Sequence, residues 1–280
     1  MRRAALSLAV VALLAACHGA STPTTVAAPG SPTASTSASP QPLTSPSART
    51  GSGLPKGPVD LSGVDQTIML DMRYATAHNF VGRVISGYFA PRCVLSKQAA
   101  QALHRAQNAA RTKGYSLKMY DCYRPLRAGR DFQQWAKRPA QNAMKAEFFP
   151  SLAKSAVFAE GYVSNGRSAH SRGSTVDLTL VALPAHPQRP YVPGEPLMPC
   201  TAPHRQRFPD NGIDMGTGYD CFDSRSHTLD RRLTGTPRSN RLLLRQLMTD
   251  AGFRNAAHEW WHYTLRNEPH PTTYFHFPIV

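Results

Sequence analysis

The stretch HEWWH, His258 to His262, holds two imidazoles at i, i+4 with a carboxylate between them. On a helix that spacing puts both imidazoles on one face to bind zinc, with the glutamate as general base. The neighbouring residues oppose a helix. Trp260, Trp261, Tyr263 and Thr264 favour a strand, Gly252 has just closed another helix, and 18 residues follow His262. A second cluster offers other partners: in GRSAHSRGSTVDLTL, His170 and Asp177 stand seven residues apart around Gly173, and VDLTL reads as a strand entering the core. An aspartate there is costly to bury unless it is paired, hydrogen-bonded or bound to a metal. One imidazole, one carboxylate and a second imidazole make three ligands and leave a fourth tetrahedral position open, the composition of a catalytic zinc site.

The same residues carry a resemblance. SAHSRGSTVDLTL together with EWWH resembles the D-alanyl-D-alanine dipeptidases, zinc enzymes grouped with the D-Ala-D-Ala carboxypeptidases and the hedgehog fold. The similarity extends through LDMRYATAHNFVG (Leu70 to Gly82), YDCYRPLRAGRDF (Tyr120 to Phe132), FFPSLAKS and DMGTGYDCFDSRSH (Asp214 to His227), and spans roughly residues 60 to 267. It implies one zinc ion per chain on His170, Asp177 and His262, with a zinc-bound water as nucleophile, Glu259 as general base and His258 a bystander. It further implies that Arg124 stabilises the tetrahedral intermediate, that Asp220 receives the substrate ammonium, and that Ser168 and Tyr74 occupy other substrate-binding positions. Asp223 and His227 are expected to support the site or the fold. The implied reaction is hydrolysis of the D-Ala-D-Ala dipeptide in cell-wall peptide metabolism. Two alternatives are a D,D-carboxypeptidase acting on longer peptidoglycan stem peptides and a wall-binding module without turnover. Residues 259 and 262 of a regular strand point to opposite faces, so an irregularity is expected at His258 to Trp260 if both are to meet one ion.

These side chains need a frame. SKQAAQALHRAQNAARTKG reads as a helix capped by Ser96, with Ala99, Leu103, Ala106 and Ala110 on one face and Gly114 at its end. YSLKMYD alternates as a strand. A helix is expected after Pro125 through DFQQWAKR, and another near SLAKSAVFAEG with Pro150 in its first turn. SNRLLLRQLMTDAG predicts a helix capped by Ser239 or Asn240, burying Leu243, Leu247 and Ala251 and stopping at Gly252. No repeat of fixed period and no βα unit with a phosphate loop is visible. The class is therefore α+β: a single domain with a mainly antiparallel central sheet flanked by helices, of the hedgehog/DD-peptidase type by the resemblance.

The chain has 280 residues, 41% of them hydrophobic, enough for a sizeable core. Its opening, MRRAALSLAVVALLAACHGAS, reads as a lipoprotein signal peptide over residues 1–16, with Cys17 as the lipidated residue. Residues 17–57, rich in Ser, Thr, Pro and Ala, read as a disordered tether, and residues 58–280 as the zinc dipeptidase domain. That places the protein in the cell envelope, lipid-anchored to the outer face of a bacterial membrane. Cys93, Cys122, Cys200 and Cys221 suggest two disulfides in an exported chain. Three pairings are possible; Cys93–Cys122 and Cys200–Cys221 are favoured because each brackets one contiguous unit. Net charge is +15, but the basic residues are scattered, which with export favours anionic lipid or wall polymer over nucleic acid. A Pro-rich insertion from Leu183 to Gly212 holds Cys200. Paired with Cys221, it would be stapled beside the substrate pocket and alter which peptides fit.

Overall fold

The computed structural model describes residues 57–164 and 166–280, so the signal segment, Cys17 and nearly all of the tether lie outside the described residues. In chain order the regular elements are β1 (Pro58–Asp60), β2 (Met69–Leu70), β3 (Val94–Ser96), α1 (Lys97–Arg111), β4 (Tyr115–Asp121), α2 (Leu126–Ala136), α3 (Lys145–Phe148), β5 (Thr175–Ala182), α4 (Gly235–Asp250), β6 (Phe253–Asn255) and β7 (His262–Leu265). Five strands form one sheet in the order β2-β4-β5-β7-β6, with β1 and β3 in a separate antiparallel ribbon. Within the large sheet β2 runs parallel to β4 and every other pair is antiparallel. The architecture is α+β with a mainly antiparallel sheet.

Local chemistry accounts for most of the elements. The Ser96 hydroxyl accepts the Ala99 N–H at 3.3 Å and caps α1, whose small buried residues Ala99, Ala106 and Ala110 let it lie close to the sheet. Gly114 takes the left-handed conformation that turns the chain into β4. Helix α4 starts at Gly235 with Thr234 in the cap position, five residues before Ser239 and six before Asn240. Ser239 and Asn240 are therefore inside it, where the Asn240 amide donates to the Asp214 carbonyl at 2.8 Å instead of capping. Leu247 and Ala251 are buried, whereas Leu243 is only half-buried and Leu244 and Met248 take its place in the core. Arg241, on the same helix, is buried and donates to the carbonyls of Met215, Arg225 and His227, tying α4 to the loop that carries Asp220.

The helix expected near SLAKSAVFAEG does not form. A single 3₁₀ turn, Lys154–Ala156, stands there. The Lys154 ammonium is drawn away to the carbonyls of Arg138 and Gln141 and lies 4.2 Å from the Trp135 ring. Val157 and Val163 are buried, and Gly161 turns left-handed between them. Tertiary contacts outweigh a weak helical propensity.

The core has two parts. One lies between the sheet and helices α1 and α4, around Leu103, Leu117, Leu178, Met248 and Trp261. The other is mainly aromatic, with Phe80 against Phe132, Trp135 and Phe222 at centroid separations of 4.8, 5.0 and 5.1 Å. Disulfides join Cys93 to Cys122 and Cys200 to Cys221.

Candidate active site

Three neighbouring strands bring the chemistry together. The ladders set Asp121, the last residue of β4, opposite Asp177 on β5, and Asp177 opposite His262, the first residue of β7. His170 arrives from the 3₁₀ turn Ala169–Arg172, which Ser168 caps by accepting the His170 N–H at 3.3 Å and which the left-handed Gly173 ends. His170 Nε2 and His262 Nδ1 stand 3.3 and 3.1 Å from Asp177 Oδ1, and 3.3 Å from each other. Nδ1 of His170 lies 2.8 Å from the Cys122 carbonyl, to which only a protonated nitrogen can donate, so the lone pair of Nε2 faces the centre. Asp177 Oδ1 is buried and, despite both ring nitrogens nearby, receives no hydrogen bond. Two imidazoles and an orphaned carboxylate oxygen, all within 4.8 Å, are a donor set that fits a divalent zinc-like cation. These residues would hold it.

Glu259 lies in the turn of residues 256–261, not on a helix and not yet in the strand. The His262 N–H donates to the Glu259 carbonyl at 3.3 Å, the irregularity that lets Oε2 of Glu259 come to 3.5 Å from His262 Nδ1. Its side chain is 15% exposed. Burial, reinforced by the Asp177 carboxylate and opposed by Arg124, pushes the Glu259 carboxyl up to about 8. His258 is exposed, stacks on the His227 ring at 4.6 Å and is outside the donor group. The helical reading of HEWWH therefore has no counterpart in the structure.

Arg124 directs Nε and Nη2 to Asp121 Oδ2, both at 2.8 Å, and Nη2 lies 3.5 Å from Asp177 Oδ2. Its guanidinium sits 4.9 Å from the Tyr74 ring centre and 5.5 Å from that of Phe132. Asp220 is 4% exposed, and its carboxylate accepts the Tyr74 hydroxyl at 2.7 Å. Burial, then the Asp177 charge, raises it well above the usual carboxyl range. It also holds φ at 53°, a left-handed backbone that costs a side-chain-bearing residue of order 1 kcal/mol and clusters at functional sites. Arg124, Tyr74, Phe132, Asp177 and Asp220 line one cleft of about 320 Å³ together with His170, Glu259 and His262, whereas Asp121 lies behind it. Asp223 caps the 3₁₀ turn Ser224–Ser226 and pairs with Arg225, outside the cleft lining.

Sequence reasoning missed two residues. Asp121 is fully buried, accepts the Tyr88 hydroxyl at 2.7 Å and lies 3.4 Å from Nδ1 of His170 as well as beside Arg124. The signal was in YDCYRP, an acid at the end of a buried strand, by the argument applied to Asp177. Asn255 is the other: its amide donates to the carbonyls of Glu259 and His262, both at 3.0 Å, and its oxygen accepts the Thr228 hydroxyl at 2.6 Å. Nothing in the local pattern marks it. The insertion also differs from expectation. It is stapled by Cys200–Cys221 next to Asp220, yet none of its described residues lines the cleft. Asp210 instead draws it onto β4 and the Arg73 turn, accepting bonds from Lys118, Tyr120 and Arg73.

The family described as D-ala-D-ala dipeptidase matches residues 55–185 and 208–280, and the unmatched residues between lie within the insertion. Three relatives named D-alanyl-D-alanine dipeptidase align along most of their length. The one from Streptomyces coelicolor is 40% identical over 224 residues, 79% of this chain and 98% of the relative. That from Enterococcus faecium is 38% identical over 211 residues, covering 75% and 91%. That from Escherichia coli is 30% identical over 207 residues, covering 74% and 83%. Fold, cleft and relatives together make this chain a peptidase. It belongs to the D-Ala-D-Ala dipeptidase family.

Proposed function

We propose that the protein is a zinc-dependent D,D-dipeptidase that hydrolyses D-Ala-D-Ala. The observation that carries this reading is Glu259 Oε2 standing 3.5 Å from the His262 donor atom in a cleft that the buried Asp220 also lines. A zinc ion on His170, Asp177 and His262 would supply Lewis acidity, activating water and polarising the scissile carbonyl. Glu259 takes a proton from the attacking water and returns it to the leaving amine. Arg124, locked by Asp121, presents a fixed positive charge where negative charge develops on the carbonyl oxygen, a contribution of a few kcal/mol. Asp220 becomes ionised as the substrate ammonium enters, and the Tyr74 hydroxyl orients it. Ser168 holds the His170 turn.

Length selection follows from the surroundings of Asp220. Asp220 is backed by Tyr74 and by the disulfide at Cys221, and a longer stem peptide needs open space beyond the ammonium. This favours a dipeptidase over a carboxypeptidase. The two disulfides suit an oxidising compartment, in keeping with a chain anchored outside the cell through Cys17. The test is an assay of zinc-loaded protein on D-Ala-D-Ala, L-Ala-L-Ala and a stem pentapeptide. D-Ala-D-Ala should be cleaved in clear preference, with Glu259→Ala slower by about 10²–10⁴-fold. Cleavage that survives that substitution, or faster cleavage of the pentapeptide, would overturn the reading.

A further inference from the structure

A separate cavity of about 280 Å³ lies between α4 and β6, the edge strand of the sheet. Arg245 from α4, Arg254 from β6 and Arg266 from just beyond β7 all line it, with Thr228, Thr249 and Asn255, and its lining contains no carboxylate. Elsewhere Arg73, Arg83, Arg124 and Arg172 each pair with a carboxylate, and Arg241 spends its N–H groups on three carbonyls. The side chains of Arg245, Arg254 and Arg266 make no ion pair or hydrogen bond among the described residues. Three exposed cations placed around one concavity by a helix, a strand and a turn repel each other, and an entering anion relieves that repulsion. Each guanidinium offers a planar fork matched to an oxyanion, and the Thr249 hydroxyl, one helical turn from Arg245, can add a bond. We infer that this cavity binds a phosphate-type oxyanion, free or carried on a lipid headgroup.

The site is distinct from the cleft but adjoins it. Ala257 lines both, and Asn255, on the cavity wall, holds the carbonyls of Glu259 and His262. The inference does not depend on the peptidase reading. Calorimetry at low ionic strength with inorganic phosphate and the zinc-loaded full chain is the direct test. Wild type should bind, and the triple variant Arg245→Gln, Arg254→Gln, Arg266→Gln should bind at least about tenfold more weakly. A control triple variant, Arg111→Gln, Arg130→Gln, Arg205→Gln, should bind as wild type does. Thermal melts establish that the variants are folded, and D-Ala-D-Ala hydrolysis by the first variant in phosphate-free buffer should stay within about twofold, since none of these arginines lines the cleft. Co-sedimentation with phosphatidylglycerol vesicles separates the sources. Vesicle binding lost in the first variant identifies a headgroup, whereas phosphate binding without a vesicle difference identifies the free anion. No phosphate binding by wild type, or equal binding by wild type and the first variant, would overturn the proposal.

Discussion

Arg124 lies against two buried carboxylates that are unequal partners: 2.8 Å to Asp121 and 3.5 Å to Asp177. Asp121 supplies the fixed counter-charge, which leaves Asp177 Oδ1 free for a cation. Asp121→Ala should therefore cost about 3–5 kcal/mol in urea unfolding, the penalty for a buried charge left without its partner, together with most of the activity. A loss under 1 kcal/mol would mean that Asp177 alone suffices for Arg124. Asn255 works through the backbone. With Asn255→Ala, hydrolysis of D-Ala-D-Ala should fall about 10–100-fold, the range seen when a group that orients a ligand is removed. Unchanged turnover and unchanged zinc affinity would show that the turn holds itself.

Among the elements, the insertion is fastened by charge as well as by sulfur. Burial alone would raise the Asp210 carboxyl, but Lys118 and Arg73 hold it well below the usual range. Burial lowers the Lys118 amine itself, and Asp210 opposes that shift. The sign follows: a depressed carboxyl stabilises fully above its unfolded pKa of about 3.9, and that contribution is lost as pH falls below this value toward the lower native one. Melting temperatures of wild type should drop more steeply than those of Asp210→Asn between pH 5 and acid extremes of about 2. Parallel curves would rule out the clamp. Helix α1, with its Ser96 cap and alanine face, and β4 were legible in the sequence because their signals are local. The start of α4, the Lys154 turn and the Asp210 clamp were not, because partners outside the local stretch act on them: the Asp214 carbonyl on Asn240, the carbonyls of Arg138 and Gln141 on Lys154, and the cations at residues 73 and 118 on Asp210. The donors His170, Asp177 and His262 were legible as residue types; their convergence depends on β5–β7 pairing across 85 residues, from Asp177 to His262, which no local pattern encodes.

For the whole molecule, a bound ion is a folding term, since His170, Asp177 and His262 meet only when turn, sheet and C-terminal strand are all in place. At about 1,000-fold over its Kd a ligand adds roughly 4 kcal/mol, and a domain of this size shifts by about 2–4 °C per kcal/mol. Chelation should lower the melting temperature by roughly 10 °C, and added zinc should restore it. His170→Ala should melt alike with and without zinc, while His258→Ala should keep the full zinc-dependent shift. Equal shifts in both variants would break the assignment of the donors. The β5–β7 ladder adds one more consequence. Side chains alternate across a strand, so sliding β7 by a single residue would turn His262 away and present Trp261 or Tyr263 to Asp177. A misaligned sheet has no place for the ion. Loading with metal would thus proofread assembly, selecting from all compact chains those whose strands are in step.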